Sequence, residues 1–322
     1  MLHRRQLFLR TGGDVKYYSP YNKYFPSDQT TLLELWDELG LPHEERKQVY
    51  GPVITFIGFD VDPNAMTISI GDQCKQALIQ QVTEFAQPGK CRTFKEFQSV
   101  AGRVNWALAV FPLLKPGLST IYAKMASKLR ALGPIRINNA VHCELLWFAK
   151  HALMSNGIFL LNTIAWDPTS DLNGAIVGYS DVCPHGMAFW FPEFNLGYQC
   201  AIPDQFDPRY IFYYEALAVT SCILHNVPHN SRHLIIYTDN HNTVDIWHSL
   251  KASAPYNDLL IIAIDSLIDR DIDMRILHIP GDDNTVADAL SCFNNALALR
   301  LVPLLHIVNF TPPRGMLGEP QK

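Results

Sequence analysis

Hydrophobic periodicity changes in the middle of this 322-residue chain, and that change limits what it can fold into. From Cys74 to about Leu161 the apolar residues recur at helical spacing over long stretches. Beyond the turn cluster Asp167-Pro168-Thr169-Ser170-Asp171 they come in short β-branched and aromatic runs. Residues 175–179, 187–191 and 197–202 read as three consecutive strands. Residues 214–226 read as a helix, 234–238 as a buried strand, 242–251 and 257–269 as helices, 274–279 as a strand and 285–298 as a last helix. Strands followed by alternating helix and strand predict an α/β layer on a mixed sheet.

Four carboxylates fall inside that pattern. Asp181 and Asp239 each follow a hydrophobic strand, and in open α/β sheets functional groups gather at the carboxyl ends of strands. Glu215 sits near the start of an apolar helix, where an inward charge is expensive without a partner. Asp288 is flanked by Val286, Ala287, Ala289 and Leu290, which predicts a semi-buried setting. Any one of these, among 31 Asp and Glu, would read as a solvated charge or a helix cap. Together they predict a converging acidic site, and such a site is costly unless something cationic neutralises it.

Composition narrows the alternatives. At 48% apolar and 18% charged residues the chain can bury real cores, which excludes wholesale disorder. Its length predicts two domains. The seven cysteines (74, 91, 143, 183, 200, 222 and 292) include no CxxC pair, against a zinc site or disulfide framework and in favour of a reducing compartment. His142-Cys143 and Cys183 with His185 lack two further spaced ligands. Met1 to Arg10 is basic without an apolar core, a poor signal peptide, and no apolar run is long enough to span a bilayer. The expectation is an intracellular protein of cytoplasm or nucleus, neither secreted nor membrane-bound.

Earlier in the chain, residues 30–39 read as a helix and 52–61 with 66–70 as a hairpin around Asp62-Pro63-Asn64. Residues 75–85, 93–111, 116–132 and 138–156 read as helices. Residues 90–136 carry nine Lys or Arg and one Glu, a local charge of about +8 in a chain of formal charge −5. Local charge sets phosphate attraction, so Lys90, Arg92, Lys95, Arg103, Lys115, Lys124 and Lys128 are candidate nucleic-acid contacts, against the alternative of an ordinary solvated helix face. Trp106 and Phe111 in the same stretch could stack on bases, or at helical spacing belong to the core.

The segments YSDVCPHGMAFWFP, FYYEALAV, LIIYTDNHNTVDIW and LHIPGDDNTVADALS resemble the RNase H-like domain of retrotransposon reverse transcriptases. The similarity is to DIRS-type elements of fungal genomes and, in the last segment, also to gypsy-type elements. That resemblance implies that Asp181, Glu215, Asp239 and Asp288 hold two Mg²⁺ ions, with Mn²⁺ as a substitute. It implies a proton-transfer role near the leaving side for His278, ten residues before Asp288, the alternative being a structural His at a strand end. Asn240 and Asn284 would orient the carboxylates or touch substrate. One departure is Val182-Cys183, where relatives often carry small residues such as Ala-Ser; the Asp before them is retained.

The first half resembles the same proteins. LWDELGLPHEERKQVYGPVITFIGFDVDPNAMTISI is similar to the end of a palm, with Lys47 after the catalytic motif and a primer-grip hairpin at 52–70. CRTFKEFQSVAGRVNWALAVFPLLKPGLSTIYAKM is similar to thumb and connection helices. The expected layout, over α+β and α/β classes, is a palm remnant (1–73), a helical thumb/connection region (74–166), an RNase H-like mixed-sheet domain (167–298) and an extended tail (299–322). The paired Asp of a polymerase motif is expected upstream of Met1, since the adjacent pair Asp282-Asp283 follows Pro-Gly in the last motif. The implied activity is metal-dependent hydrolysis of the RNA strand of an RNA–DNA hybrid, without polymerisation. The rival expectations are a non-catalytic nucleic-acid-binding relic, or a clipped piece of a full reverse transcriptase.

Overall fold

The computed structural model describes residues 6–9, 13–127, 133–159, 174–203, 210–225, 231–313 and 315–317. Two units share the chain. The first draws on Met1–Phe85, Gly102–Pro112 and Ala149–Trp166, the second on Ala86–Ala101, Leu113–Phe148 and Asp167–Lys322. Residues 74–166 therefore do not stand as a separate helical unit. Amphipathic helices need a surface to cover, and these are divided between two. The turn cluster 167–171 lies outside the described residues. Among the described residues no helix is long and apolar enough to cross a membrane.

In the first unit Tyr18, Phe25 and Leu33 pack together, joining the hairpin Val15–Tyr18/Lys23–Pro26 to the helix Ser27–Glu38. The expected strand 52–61 instead folds back on itself. Ile54–Phe56 and Phe59–Asp62 pair antiparallel around Ile57 and Gly58, whose φ angles of 53° and 86° make a two-residue turn that twists with the strands. Thr67–Ile70 and Ile158–Phe159 complete that four-stranded sheet. Trp106 stacks on Phe59 with ring centroids 4.7 Å apart, and Phe111 is buried. Both rings serve the packing of this unit.

The second unit is built on a six-stranded sheet: β1 (Ile176–Cys183), β2 (Gly186–Phe191), β3 (Leu196–Ala201), β4 (His233–Thr238), β5 (Asp273–His278) and β6 (His306–Asn309). Their order is β5-β4-β1-β2-β3-β6. β1, β2 and β3 form an antiparallel meander, β4 and β5 continue parallel to β1, and β6 lies parallel to β3. Helices α1 (Ile211–Leu224), α2 (His241–Ser249), α3 (Tyr256–Asp269), α4 (Thr285–Ser291) and α5 (Asn295–Leu301) follow the strands.

The strands alternate between two cores. Met187, Phe189 and Phe191 of β2 pack with α1 and α3, whereas Ala188 packs with Val286, Ala289 and Leu290 of α4 and Ala298 of α5. Every residue of α1 from Tyr213 to Ile223 is buried, so this helix is central rather than amphipathic. Gly178 lets it approach: a Cβ there would stand 2.9 Å from Cys222 Sγ.

Two expectations about the end of the domain are corrected. Residues 285–298 are two helices, not one. The break falls at Phe293, which takes φ 56°, and Asn294 then caps α5 by accepting from Leu297 N at 3.2 Å. Residues 299–322 are not simply an extended tail. β6 pairs with β3 in the register Leu196↔His306 and so covers an edge that would otherwise present unpaired backbone groups.

Polar contacts of Thr120, Glu144 and Trp147, part-buried or buried, tie their helices to this domain. Glu144 accepts from Thr120 N and Thr120 Oγ1, both at 2.7 Å, and from Asn257 Nδ2 of α3 at 2.8 Å. Trp147 Nε1 donates to Asp265 of α3 at 2.7 Å. Burial pushes the Glu144 carboxyl up, while its three donors pull the other way.

Candidate active site at the carboxyl ends of the central strands

Asp181 lies inside β1 rather than after it. On one side the parallel pairing with β4 ends at Tyr179↔Tyr237; on the other the antiparallel pairing with β2 runs on through Asp181↔Ala188. Sharing a face with Ala188, Asp181 points to the α4 side of the sheet. There Ser291 Oγ donates to Asp181 Oδ2 at 2.6 Å. Asp239 follows β4 directly, two residues beyond the Tyr179↔Tyr237 pair, level with Asp181. Glu215 comes from α1, packed on the opposite core, and Asp288 from α4.

The charges of Asp239 and Asp288 reach Asp181, and those of Asp181 and Asp239 reach Glu215. Burial pushes the Asp181 carboxyl up to about 6; the Ser291 hydroxyl opposes this, and the charges of Asp239 and Asp288 add to it. Burial raises Glu215 well above the ordinary range, and Asp181 and Asp239 raise it further. Asp181 and Glu215 are buried, Asp239 is half-buried, and Asp288 is exposed. The semi-buried setting expected for Asp288 belongs to its apolar neighbours Val286, Ala287, Ala289 and Leu290, which are buried while the Asp turns outward.

Glu215 Oε2 is buried without a hydrogen-bond partner. Beside two other carboxylates, such an atom is costly unless a cation reaches it. Among the described residues no three His, Cys, Asp or Glu side chains already stand together as a ready chelate. The donor set is nevertheless all carboxylate oxygen, which suits hard ions such as Mg²⁺ or Mn²⁺. Asp181, Glu215, Asp239 and Asp288 are the residues that could hold them.

The remaining expected site residues have varied positions. His278 is the last residue of β5, exposed, and paired across the sheet with Thr238. Asn240 caps α2, its side chain accepting from Thr243 N at 3.0 Å. Asn284 is buried and donates to Ser180 O at 2.9 Å, so it braces the strand beside Asp181. Asp282 and Asp283 lie in a short exposed turn after Pro280.

The basic run does not form one surface on one unit. Arg103 belongs to the first unit, where it bonds Gln81; Lys90, Arg92, Lys95, Lys115 and Lys124 belong to the second. Lys128 lies outside the described residues. Lys90 and Lys95 are exposed, and Arg92 pairs with Glu96 at 3.4 Å. Lys115 has a neighbour that sequence reasoning missed. Ser119 donates to the Ala252 carbonyl and holds the loop after α2 in place. Burial and the adjacent Lys251 charge then lower the Lys115 ammonium. Ser291 was missed too, although it closes the same Ala-Asp-x-Leu-Ser segment that carries Asp288.

No protein-family model and no curated protein matches this chain. Among solved structures, a foamy viral protease–reverse transcriptase in complex with double-stranded DNA is 14% identical over 79% of this chain, with a TM-score of 0.31. The match spans 44% of that viral protein, less than half its length. RNase H1 from Halobacterium salinarum is 14% identical over 38% of this chain and 99% of its own, with a TM-score of 0.28. The N-terminal RNase H domain of a Mycobacterium tuberculosis protein, solved as a fusion with maltose-binding protein, is 16% identical over 40% of this chain and 100% of its own, also with a TM-score of 0.28. It is the strand order of the second unit, an antiparallel β1-β2-β3 extended through parallel β4 and β5, that gives this chain an RNase H-like mixed-sheet α/β fold.

Proposed function

We propose that the second unit is a metal-dependent ribonuclease that hydrolyses the RNA strand of an RNA–DNA hybrid, and that the chain derives from a retrotransposon reverse transcriptase. The observation that carries this reading is the orphaned, buried Glu215 Oε2 beside Asp181 and Asp239. An unsatisfied acid that feels the charges of Asp181 and Asp239 would be relieved by a cation, which supports this reading.

Asp181, Glu215, Asp239 and Asp288 would hold two Mg²⁺ ions. When bound, such ions lower the pKa of water and stabilise the attacking and leaving oxygens of an in-line displacement. The chain's own part is to fix the ligands. Ser291 holds one oxygen of Asp181, Asn284 braces the strand beside it, and the central helix α1 delivers Glu215 rigidly. His278, exposed at the end of β5, is the group available to pass a proton to the departing 3′ oxygen. Strand choice would rest on minor-groove shape and 2′-OH contacts rather than base edges. Lys115 and Lys251 would bind backbone phosphates.

The test is cleavage of an end-labelled RNA–DNA hybrid with Mg²⁺, beside EDTA and Asp239→Asn controls. The expected result is cutting of the RNA strand only, absent in both controls. A folded protein that binds the hybrid and leaves both strands intact would overturn the enzyme and leave a binding relic.

A further inference from the structure

His241 and His278, 37 residues apart in sequence, meet face to face. Their ring centroids are 3.7 Å apart and their planes differ by 5°. His241 opens α2 directly after its cap Asn240, and His278 closes β5. α2 grips the same strand a second time, two helical turns on, where His248 Nε2 donates to the Ile276 carbonyl at 2.8 Å. Among the described residues β5 is the last strand on its side of the sheet and pairs with β4 alone. Its carboxyl end is therefore held through α2 as well as through the ladder.

We propose that His241 is a positioning residue for His278. The torsion that turns an imidazole about its Cβ–Cγ bond is broad and weakly biased, so a lone exposed His at a strand end samples many ring orientations. A parallel ring stacked on one face removes most of them. His278 is then presented in one plane at the carboxyl ends of β4 and β5, the end that carries Asp239. Its use there as a proton-transfer group rests on the hydrolase reading; the stack and its effect on ring orientation do not. Neither ring is buried, so replacing His241 leaves no cavity in the core.

The experiment compares wild type, His241→Ala and His241→Phe by two readouts. The first is the NMR resonance of the His278 ring protons, which a stacked ring shifts upfield. That shift is expected in wild type, kept in His241→Phe and lost in His241→Ala. The second is hybrid cleavage. His241→Ala is expected to lower kcat by about tenfold or more with little change in KM, since small misplacements of a reacting group are costly. His241→Phe is expected to restore most of that rate, and His241→Ala should add little loss to His278→Ala. An unshifted His278 resonance in wild type, or equal losses from His241→Ala with and without His278, would overturn the proposal. If wild type cuts nothing, the hydrolase reading fails, and the ring shift still decides whether His241 sets His278.

Discussion

Ser291 Oγ on α4 and Asp181 Oδ2 on β1 are 2.6 Å apart, though the residues are separated by 110 positions in sequence. This bond orients a carboxylate that burial, and then the charges of Asp239 and Asp288, push toward protonation. Ser291→Ala should therefore weaken catalysis more than folding. Loss of a ligand-orienting hydrogen bond predicts a roughly 10- to 100-fold drop in hybrid cleavage. The stability cost should be about 1 kcal/mol. Cleavage rates at several Mg²⁺ concentrations, with urea unfolding alongside, check both; an unchanged rate would remove Ser291 from the site.

Removing the charge at Asp181 should stabilise the metal-free protein. Its folded pKa, about 6, lies above the ordinary 3.8, so the folded state holds its proton more tightly than the unfolded chain. Stability from this group is present below about pH 4 and is lost as pH rises through 6. At pH 8 in EDTA, Asp181→Asn is expected to unfold with a free energy roughly 1–3 kcal/mol above wild type. Added Mg²⁺ should raise the wild-type melting temperature and leave the variant nearly unmoved. A variant less stable than wild type in EDTA would contradict the electrostatic account.

Glu144 supplies a second pH dependence, away from the acidic site. Burial raises its carboxyl above 4.5 despite the donors Thr120 and Asn257. Its contribution is again fullest below the unfolded pKa and falls as pH rises through the folded value. Glu144→Gln should remove this slope. It should also cost about 1–3 kcal/mol, because an amide NH₂ would face donors where a carboxylate oxygen now accepts. Urea titrations from pH 4.5 to 7 read both effects.

The Lys251 charge reaches Lys115, and Ser119 holds the loop after α2 that carries Lys251. If both meet phosphates, Lys115→Ala and Lys251→Ala should each flatten the salt dependence of hybrid binding by a slope of about 1. Fluorescence anisotropy with Asp239→Asn as background keeps the hybrid uncut. Slopes equal to that of the parent would place both lysines off the nucleic acid.

The second half of the fold was largely legible as a string. The elements read at 175–179, 187–191 and 234–238, and the helix carrying Glu215, recur as β1, β2, β4 and α1 with shifted ends. Strands and buried helices write themselves into hydrophobic periodicity, which is a local property. The misjudged places were set by distant partners. β1 runs on through Asp181 only because β2 pairs with it there, and residues 306–309 become a strand only because β3 has an edge to cover.

The candidate site divides along the same line. The sequence alone determined which carboxylates exist and that each lies beside an apolar element: Asp181, Glu215, Asp239 and Asp288. Only the tertiary structure decided that Ser291 bonds Asp181, that Asn284 braces Ser180, that His241 covers His278 and that the Lys251 charge reaches Lys115. Periodicity reports whether a side chain faces a core, because burial acts on each residue separately. Which polar groups meet depends on strand register and helix packing across a hundred residues, and a linear pattern does not encode those distances.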